Sequence, residues 1–344
     1  MPRYKVELPL WNVVLMFALL LGSIAMASAL AHAQDGQHQV FLPLVANRSL
    51  PELVRAQNPS MHPEGIEWDE TNKRFLVGSL TQGSVFAVAD DGTVTPFATS
   101  DNLSMGSVGI HIDKQTNRLL VTHSNPTALG NPDVTGVAQL GIYDLATGEE
   151  LNFVDLTALG APGGRFFAND VTSDNAGNAY VTNSLSTVIY KVDSDGNAEI
   201  FVNNLNANGI DYHPDGYLLA AGRDGPTLFK IPLDEPSALV PVNLSEPALM
   251  DGIILNDNGE LIAVAKTNFQ ADGSFDDEVI TLRSDDNWAS AALVSRGVAI
   301  PESSPTTVTI RDGNAYVVHA HFMELGMGVV VESFEIMRVG LNSD

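Results

Sequence analysis

Four residues far apart in the chain, Glu64, Asn169, Asn208 and Asp251, sit in the same local setting. Each opens a short apolar run that leads into a tight turn and a second apolar run. The fullest example is Asn208-Gly209-Ile210-Asp211-Tyr212-His213-Pro214-Asp215-Gly216-Tyr217-Leu218-Leu219. Aligned on their turns, six copies open at Glu64, Val108, Asn169, Asn208, Asp251 and Thr306. They continue Gly65-Ile66, Gly109-Ile110, Asp170-Val171, Gly209-Ile210, Gly252-Ile253 and Thr307-Val308. The Glu, the Asp and the two Asn all offer oxygen, and two of the four are carboxylates. If equivalent positions meet around one axis, these oxygens converge. Ca²⁺ is the cation that such a set of hard oxygens prefers, with Mn²⁺, Mg²⁺ and Zn²⁺ as the other divalent candidates. Two carboxylates brought together without a cation would repel each other. One such residue alone reads as a polar residue leaving a turn; four at the same repeat offset point to a metal site.

The elements that must position them follow from the repeat. Its copies recur at intervals of about 40 to 60 residues and are built from strands, which predicts an all-β fold, a six-bladed β-propeller with one copy per blade and a central metal-binding channel. Turns such as Asp90-Asp91-Gly92, Asn175-Ala176-Gly177 and Asp193-Ser194-Asp195-Gly196 separate β-branched runs, and no long amphipathic helical period occurs beyond residue 50. Pro51–Ala56 is expected to add the outermost strand of the last blade, closing the ring and removing an exposed sheet edge. If the first strand of a blade starts at the channel mouth, the second returns to it. That places Ser79, His123, Asn183, Gly222, Ala265 and His319 at the rim, followed by successors that include Arg223 and Lys266. His123 and His319 are then candidates to shuttle protons, and Asn183, Arg223 and Lys266 to bind substrate. His321 should share the side of its strand with His319, whereas His62 and His111 read equally well as packed or solvated histidines.

Residues 1–33 read as an export signal: Arg3 and Lys5 precede an apolar run, and Ala31-His32-Ala33 has the small-x-small pattern of a cleavage site. An uncleaved membrane anchor is the alternative, since the run is long enough to span a bilayer; either way the body lies outside the cytoplasm, as a secreted or extracytoplasmic protein. Residues 34–49 read as a linker and 50–344 as the propeller. The formal charge of −25 opposes nucleic acid and anionic lipid, and there is no basic run to bind either. The absence of cysteine excludes disulfides, thiolate zinc and a cysteine nucleophile. A small-molecule substrate and a monomer are the remaining expectations.

His62-Pro63-Glu64-Gly65, Asn169-Asp170, Ala207-Asn208-Gly209-Ile210-Asp211 and Asp251-Gly252 resemble, in this order, four signatures of the regucalcin/gluconolactonase family, to which diisopropyl fluorophosphatase and the paraoxonases are more distantly related. The resemblance covers most of residues 60–340. It implies a six-bladed propeller that binds a divalent metal in its channel and hydrolyses lactones or, in some members, phosphotriesters. Glu64, Asn208 and Asp251 resemble the core ligands, Asn169 the further asparagine at the metal, and Asp251 the base or nucleophile. The expected activity is therefore Ca²⁺-dependent hydrolysis of lactones or related esters, with Asp251 as general base. The family's substrate loops do not align here, which leaves the substrate open. The competing class is a non-enzymatic propeller that binds a ligand or protein and keeps calcium for structure.

Overall fold

The computed structural model describes residues 33–34, 37–38, 49–99, 105–161, 163–301 and 303–343. The expected export signal, with Arg3 and Lys5, and most of the linker lie outside them. Ala33–Gln34 and Gln37–His38 form a small antiparallel pair in the unit Met1–Leu50. Pro51–Asp344 is a separate compact unit, and the rest of the description concerns it. No described helix is long and apolar enough to cross a membrane.

The unit is a β-propeller. Its strands fall into six antiparallel groups of four among the described residues. The first is Ile66–Asp69, Arg74–Gly78, Val85–Val88 and Val94–Ala98. The second is Gly106–Asp113, Arg118–Ser124, Gln139–Asp144 and Glu150–Asp155, and the third Phe166–Ser173, Ala179–Asn183, Val188–Val192 and Ala198–Asn203. The fourth is Ala207–His213, Tyr217–Gly222, Leu228–Pro232 and Val240–Leu244, and the fifth Leu249–Leu255, Leu261–Thr267, Asp276–Arg283 and Ser290–Val298. The sixth takes Pro305–Arg311, Asn314–His319 and Ser333–Val339 from the C-terminal end and Leu53–Gln57 from the N-terminal end. That last pairing is the closure the sequence leads one to expect. The six first strands also pack side by side in a closed circuit, each against the next and the last against the first.

The core lies between neighbouring sheets. Successive residues of one strand feed opposite neighbours: Leu119 packs with the first sheet and Leu120 with the third, while Leu218 packs with the third and Leu219 with the fifth. Strands covered on both faces need apolar residues at every position, which is why runs such as Leu218-Leu219-Ala220-Ala221 show no alternation. The turns after the first strands are fixed by short polar devices. Asp69 pairs with Arg74 at 2.9 Å and Asp113 with Arg118 at 2.8 Å, and Gly216 takes φ 88° where a side chain would be strained.

Candidate active site at the mouth of the propeller

The repeat offset found in the sequence corresponds to one backbone device. In the second to sixth sheets the strand register slips at the opening residues. Ser107 pairs with His123 but Ile110 with Val121, and Ala168 with Asn183 but Val171 with Val181; the same slip spans 207–210, 250–253 and 305–308. Two residues of the first strand thus oppose one of the second, a bulge that bends the strand and re-aims the side chain out of the sheet. Val108, Asn169, Asn208, Asp251 and Thr306 occupy the first bulge position. In the first sheet Glu64-Gly65 lies just before the pairing begins, with Gly65 still accepting from the Gly78 amide at 3.0 Å.

The second bulge position brings the first strands together. A Cβ on Gly65, Gly109 or Gly209 would collide with the carbonyl oxygen of Val108, Asn169 or Asp251 in the next sheet. Hydroxyls also tie neighbouring sheets together at the opening residues. Thr182 donates to the Asn208 carbonyl at 2.8 Å, Thr122 to that of Asn169 at 2.7 Å and Thr306 to that of Glu64 at 2.7 Å.

Of the four expected oxygen donors, Glu64 and Asn169 are each 7 % exposed, and Asn208 and Asp251 are half-buried. Asn208 Nδ2 donates to Asp251 Oδ1 at 2.7 Å. Asn169 Nδ2 donates to Ser184 Oγ at 2.9 Å, and Ser184 Oγ donates in turn to the Ala207 carbonyl at 3.2 Å. Both amides are therefore held through nitrogen, which leaves their oxygens available. No hydrogen bond or ion pair among the described residues reaches the Glu64 carboxylate. Burial raises its pKa well above the ordinary carboxylate value, and the charges of Asp251 and Asp170 push it higher. Burial also raises Asp251 to about 6, against the pull of Lys266, the Asn208 hydrogen bond and Arg223. Asn208 and Asp251 open into a cavity of about 310 Å³, also lined by Arg223, Lys266 and Asp277. Arg223 donates to the Ser184 carbonyl at 3.3 Å, and Lys266 pairs with Asp277 at 3.1 Å.

Three residues expected at the rim lie elsewhere. His123 is 1 % exposed, with Nε2 at 3.2 Å from the Tyr143 hydroxyl and its ring stacked on Phe153; burial pushes its pKa down to about 3. His319 is fully buried between the Ile300 amide and the Glu335 carbonyl, each at 3.3 Å, and burial brings it down to about 4. Asn183 Oδ1 accepts from the Phe167, Leu185 and Ser186 amides, and its Nδ2 donates to Tyr190. The register that places these residues opposite the openings is as expected. Side chains alternate along a strand, however, and these three are packed between sheets rather than turned to the mouth. Of the residues one place further on, Arg223 and Lys266, which follow Gly222 and Ala265, line the cavity beside Asp251, and Ser184, which follows Asn183, holds Asn169. His321 does not extend the His319 strand either: it begins a short helix at φ 55° and meets Glu335 at 2.9 Å. His62 Nδ1 lies 3.0 Å from the Ala320 carbonyl.

Sequence reasoning missed a second polar cluster, built from Glu67, His111 and Asp211, each three residues past its opening, and from Asp170 at the second bulge position. His111 Nδ1 lies 3.4 Å from Glu67 and Nε2 3.0 Å from Ser173 Oγ. Burial works to lower the His111 pKa, but the Glu67 hydrogen bond and the charges of Glu67, Asp211 and Asp170 outweigh it and raise it. Burial raises Asp170 to about 7 although the Ile210 and Val171 amides donate to it, and it raises Asp211 despite His111 and the Leu255 amide. The available signal was Asp170, standing where four of the six copies have glycine.

Among the described residues no three His, Cys, Asp or Glu side chains gather closely enough to form a metal site on their own. The expected set is of another kind, two carboxylates and two amides. Within it, Glu64 is buried, without a hydrogen-bond or ion-pair partner among the described residues, and acted on by the charges of Asp251 and Asp170, a setting that a hard dication would relieve.

No family model matches the chain, and no curated protein matches it by sequence. Solved structures do match its fold. The major allergen Mala s 1 of Malassezia sympodialis superposes with a TM-score of 0.69 at 18% identity, over 85% of this chain and 97% of that one. A luciferin-regenerating enzyme gives 0.57 at 16%, over 85% and 97%. A gluconolactonase of Xanthomonas campestris gives 0.54 at 16%, over 84% and 89%. The structural neighbours are thus gluconolactonases and related propeller proteins, and at these identities the likeness is one of fold.

Proposed function

We propose that this protein is a metal-dependent hydrolase of lactones or related esters. The observation that carries the reading is the Glu64 carboxylate: buried, without a hydrogen-bond or ion-pair partner among the described residues, and raised by burial and by Asp251. An uncompensated buried charge is costly, and such charges concentrate at functional sites. Glu64, Asn169, Asn208 and Asp251 would hold a divalent cation, with Ca²⁺ favoured by the all-oxygen set. When bound, it supplies positive charge that polarises a carbonyl oxygen and stabilises the negative charge developing there.

The chain's own groups do the rest. Asn208 Nδ2 fixes Asp251 Oδ1, leaving Oδ2 to accept a proton from the attacking water. The water oxygen bonds to the carbonyl carbon, the ring C–O bond breaks, and the proton passes to the departing alkoxide to give a hydroxy acid. Burial holds the Asp251 pKa at about 6 before a cation binds, so its carboxylate is mostly ionised at neutral pH. Arg223 and Lys266 orient the polar end of the substrate from the wall of the same cavity. The export pattern in residues 1–33 extends the proposal to an extracytoplasmic location.

The test is a panel of lactones, aryl esters and phosphotriesters assayed after chelation and again after adding back Ca²⁺, Mn²⁺, Mg²⁺ or Zn²⁺. Hydrolysis that requires the metal and disappears in Asp251→Asn supports the reading. Hydrolysis that survives both treatments refutes it.

A further inference from the structure

The mouth has two chemically different sides. The fourth and fifth sheets supply the polar cavity of Asn208, Asp251, Arg223 and Lys266. On the other side the opening residue is Val108, and it packs with Leu80 and Phe167 under half-buried Leu185 and Leu325. Leu325 belongs to the short helix Phe322–Met327, a strap inserted between two strands of the sixth sheet. The strap starts at His321 with φ 55° and ends at Gly328 with φ 66°, and it turns Met323 and Met327 outward, 58 % and 63 % exposed.

The two sides meet at one point. Arg223 donates to the carbonyl of Ser184, the residue before Leu185, and Ser184 Oγ holds Asn169. An apolar surface therefore begins one residue from the groups that bind the polar end of the substrate. We infer that the substrate of this site carries an alkyl substituent, received by Leu185 and Leu325 and by the flexible methionines of the strap. The inference rests on the hydrolase reading and narrows it, from lactones in general to alkyl-substituted lactones over polyhydroxylated ones. A sugar-like lactone would lay hydroxyls against Leu185 and Leu325, which offer them no hydrogen bond. Methionines adapt to chains of different length.

The experiment uses the full chain with Ca²⁺ restored after chelation. γ-Lactones from unsubstituted to octyl-substituted are compared with a polyhydroxylated lactone for kcat/KM. Binding of the corresponding 4-hydroxy acids is measured in parallel by calorimetry. The expected result is a rise in both quantities with chain length, by up to about fourfold per buried methylene before levelling off. In Leu185→Asn and Leu325→Asn the slope should flatten, with unfolding curves confirming that each variant is folded. A flat series in the folded native protein, a preference for the polyhydroxylated lactone, or a slope unchanged in both variants overturns the inference. Should no lactone be hydrolysed, the hydrolase reading fails, and the chain-length dependence of hydroxy-acid binding still decides whether the apolar side receives an alkyl group.

Discussion

The Asp251 carboxylate, in the fifth sheet, acts directly on that of Glu64, at the opening of the first, and drives its pKa further above the value burial alone would give. Two acids so far apart in sequence are forced together because each stands at a strand opening that the propeller turns toward its axis. The charge they share has consequences that can be measured.

The first is a pH dependence of stability in the metal-free protein. Asp251 and Asp170 have folded pKa values of about 6 and 7, above the usual carboxylate range. Between the unfolded and folded values the native state holds more protons, so stability falls as pH rises. His111, also raised, acts in the same direction, because its contribution is lost as pH climbs through its folded pKa. The buried neutral rings of His123 and His319, held down to about 3 and about 4, act the opposite way, because the unfolded state takes up their protons first as pH falls. The carboxylate effect is therefore isolated by urea unfolding in the presence of chelator of the native protein beside Asp170→Asn: from pH 5 to pH 8 the native protein should lose on the order of 1–3 kcal/mol relative to the variant. The same pH dependence in both proteins would contradict the electrostatics.

The close approach of neighbouring strands makes a second prediction. A Cβ on Gly209 would collide with the Asp251 carbonyl, whereas one on Gly225 would meet open space. Gly209→Ala should destabilise by roughly 1–3 kcal/mol or more, and Gly225→Ala by less than about 0.5 kcal/mol. Equal melting temperatures for the two variants would show that the strands are not in contact there.

His123 and His319 should matter for folding rather than for turnover. Each buried ring satisfies specific partners, so His123→Gln and His319→Gln are expected to cost roughly 1–3 kcal/mol of stability while kcat stays near that of the native enzyme. A large loss of kcat in a folded variant would restore the shuttle role that the sequence suggested.

Arg223 offers a charged donor beside Asp251. Arg223→Ala should raise KM by roughly tenfold, the worth of a charged hydrogen bond, and leave kcat less affected. An unchanged KM would remove Arg223 from the site.

The inner strands were legible because each carries the same opening, apolar run and turn, and the copies align without knowledge of the fold. The four oxygen donors followed from that alignment. Blade closure by Leu53–Gln57 was legible too, since a propeller must cover its last edge. The rim was misread by one residue at three places. Register was inferred correctly, but alternation buries the side chains of His123, Asn183 and His319 in the packing between sheets. The polar cluster of Glu67, His111, Asp170 and Asp211 was hidden for another reason: those residues stand among apolar neighbours, and only the circular packing of six strands brings them together. The strap with Leu325 interrupts the sixth repeat, and nothing in its sequence says which side of the mouth it covers.

The most direct test of the site is calorimetric titration of chelator-treated protein with Ca²⁺, repeated with Glu64→Gln and Asp251→Asn. The expected result is one site per chain, a higher melting temperature on binding, and loss of that site in both variants. No heat, or binding of equal strength in all three proteins, would mean that these side chains do not hold a cation.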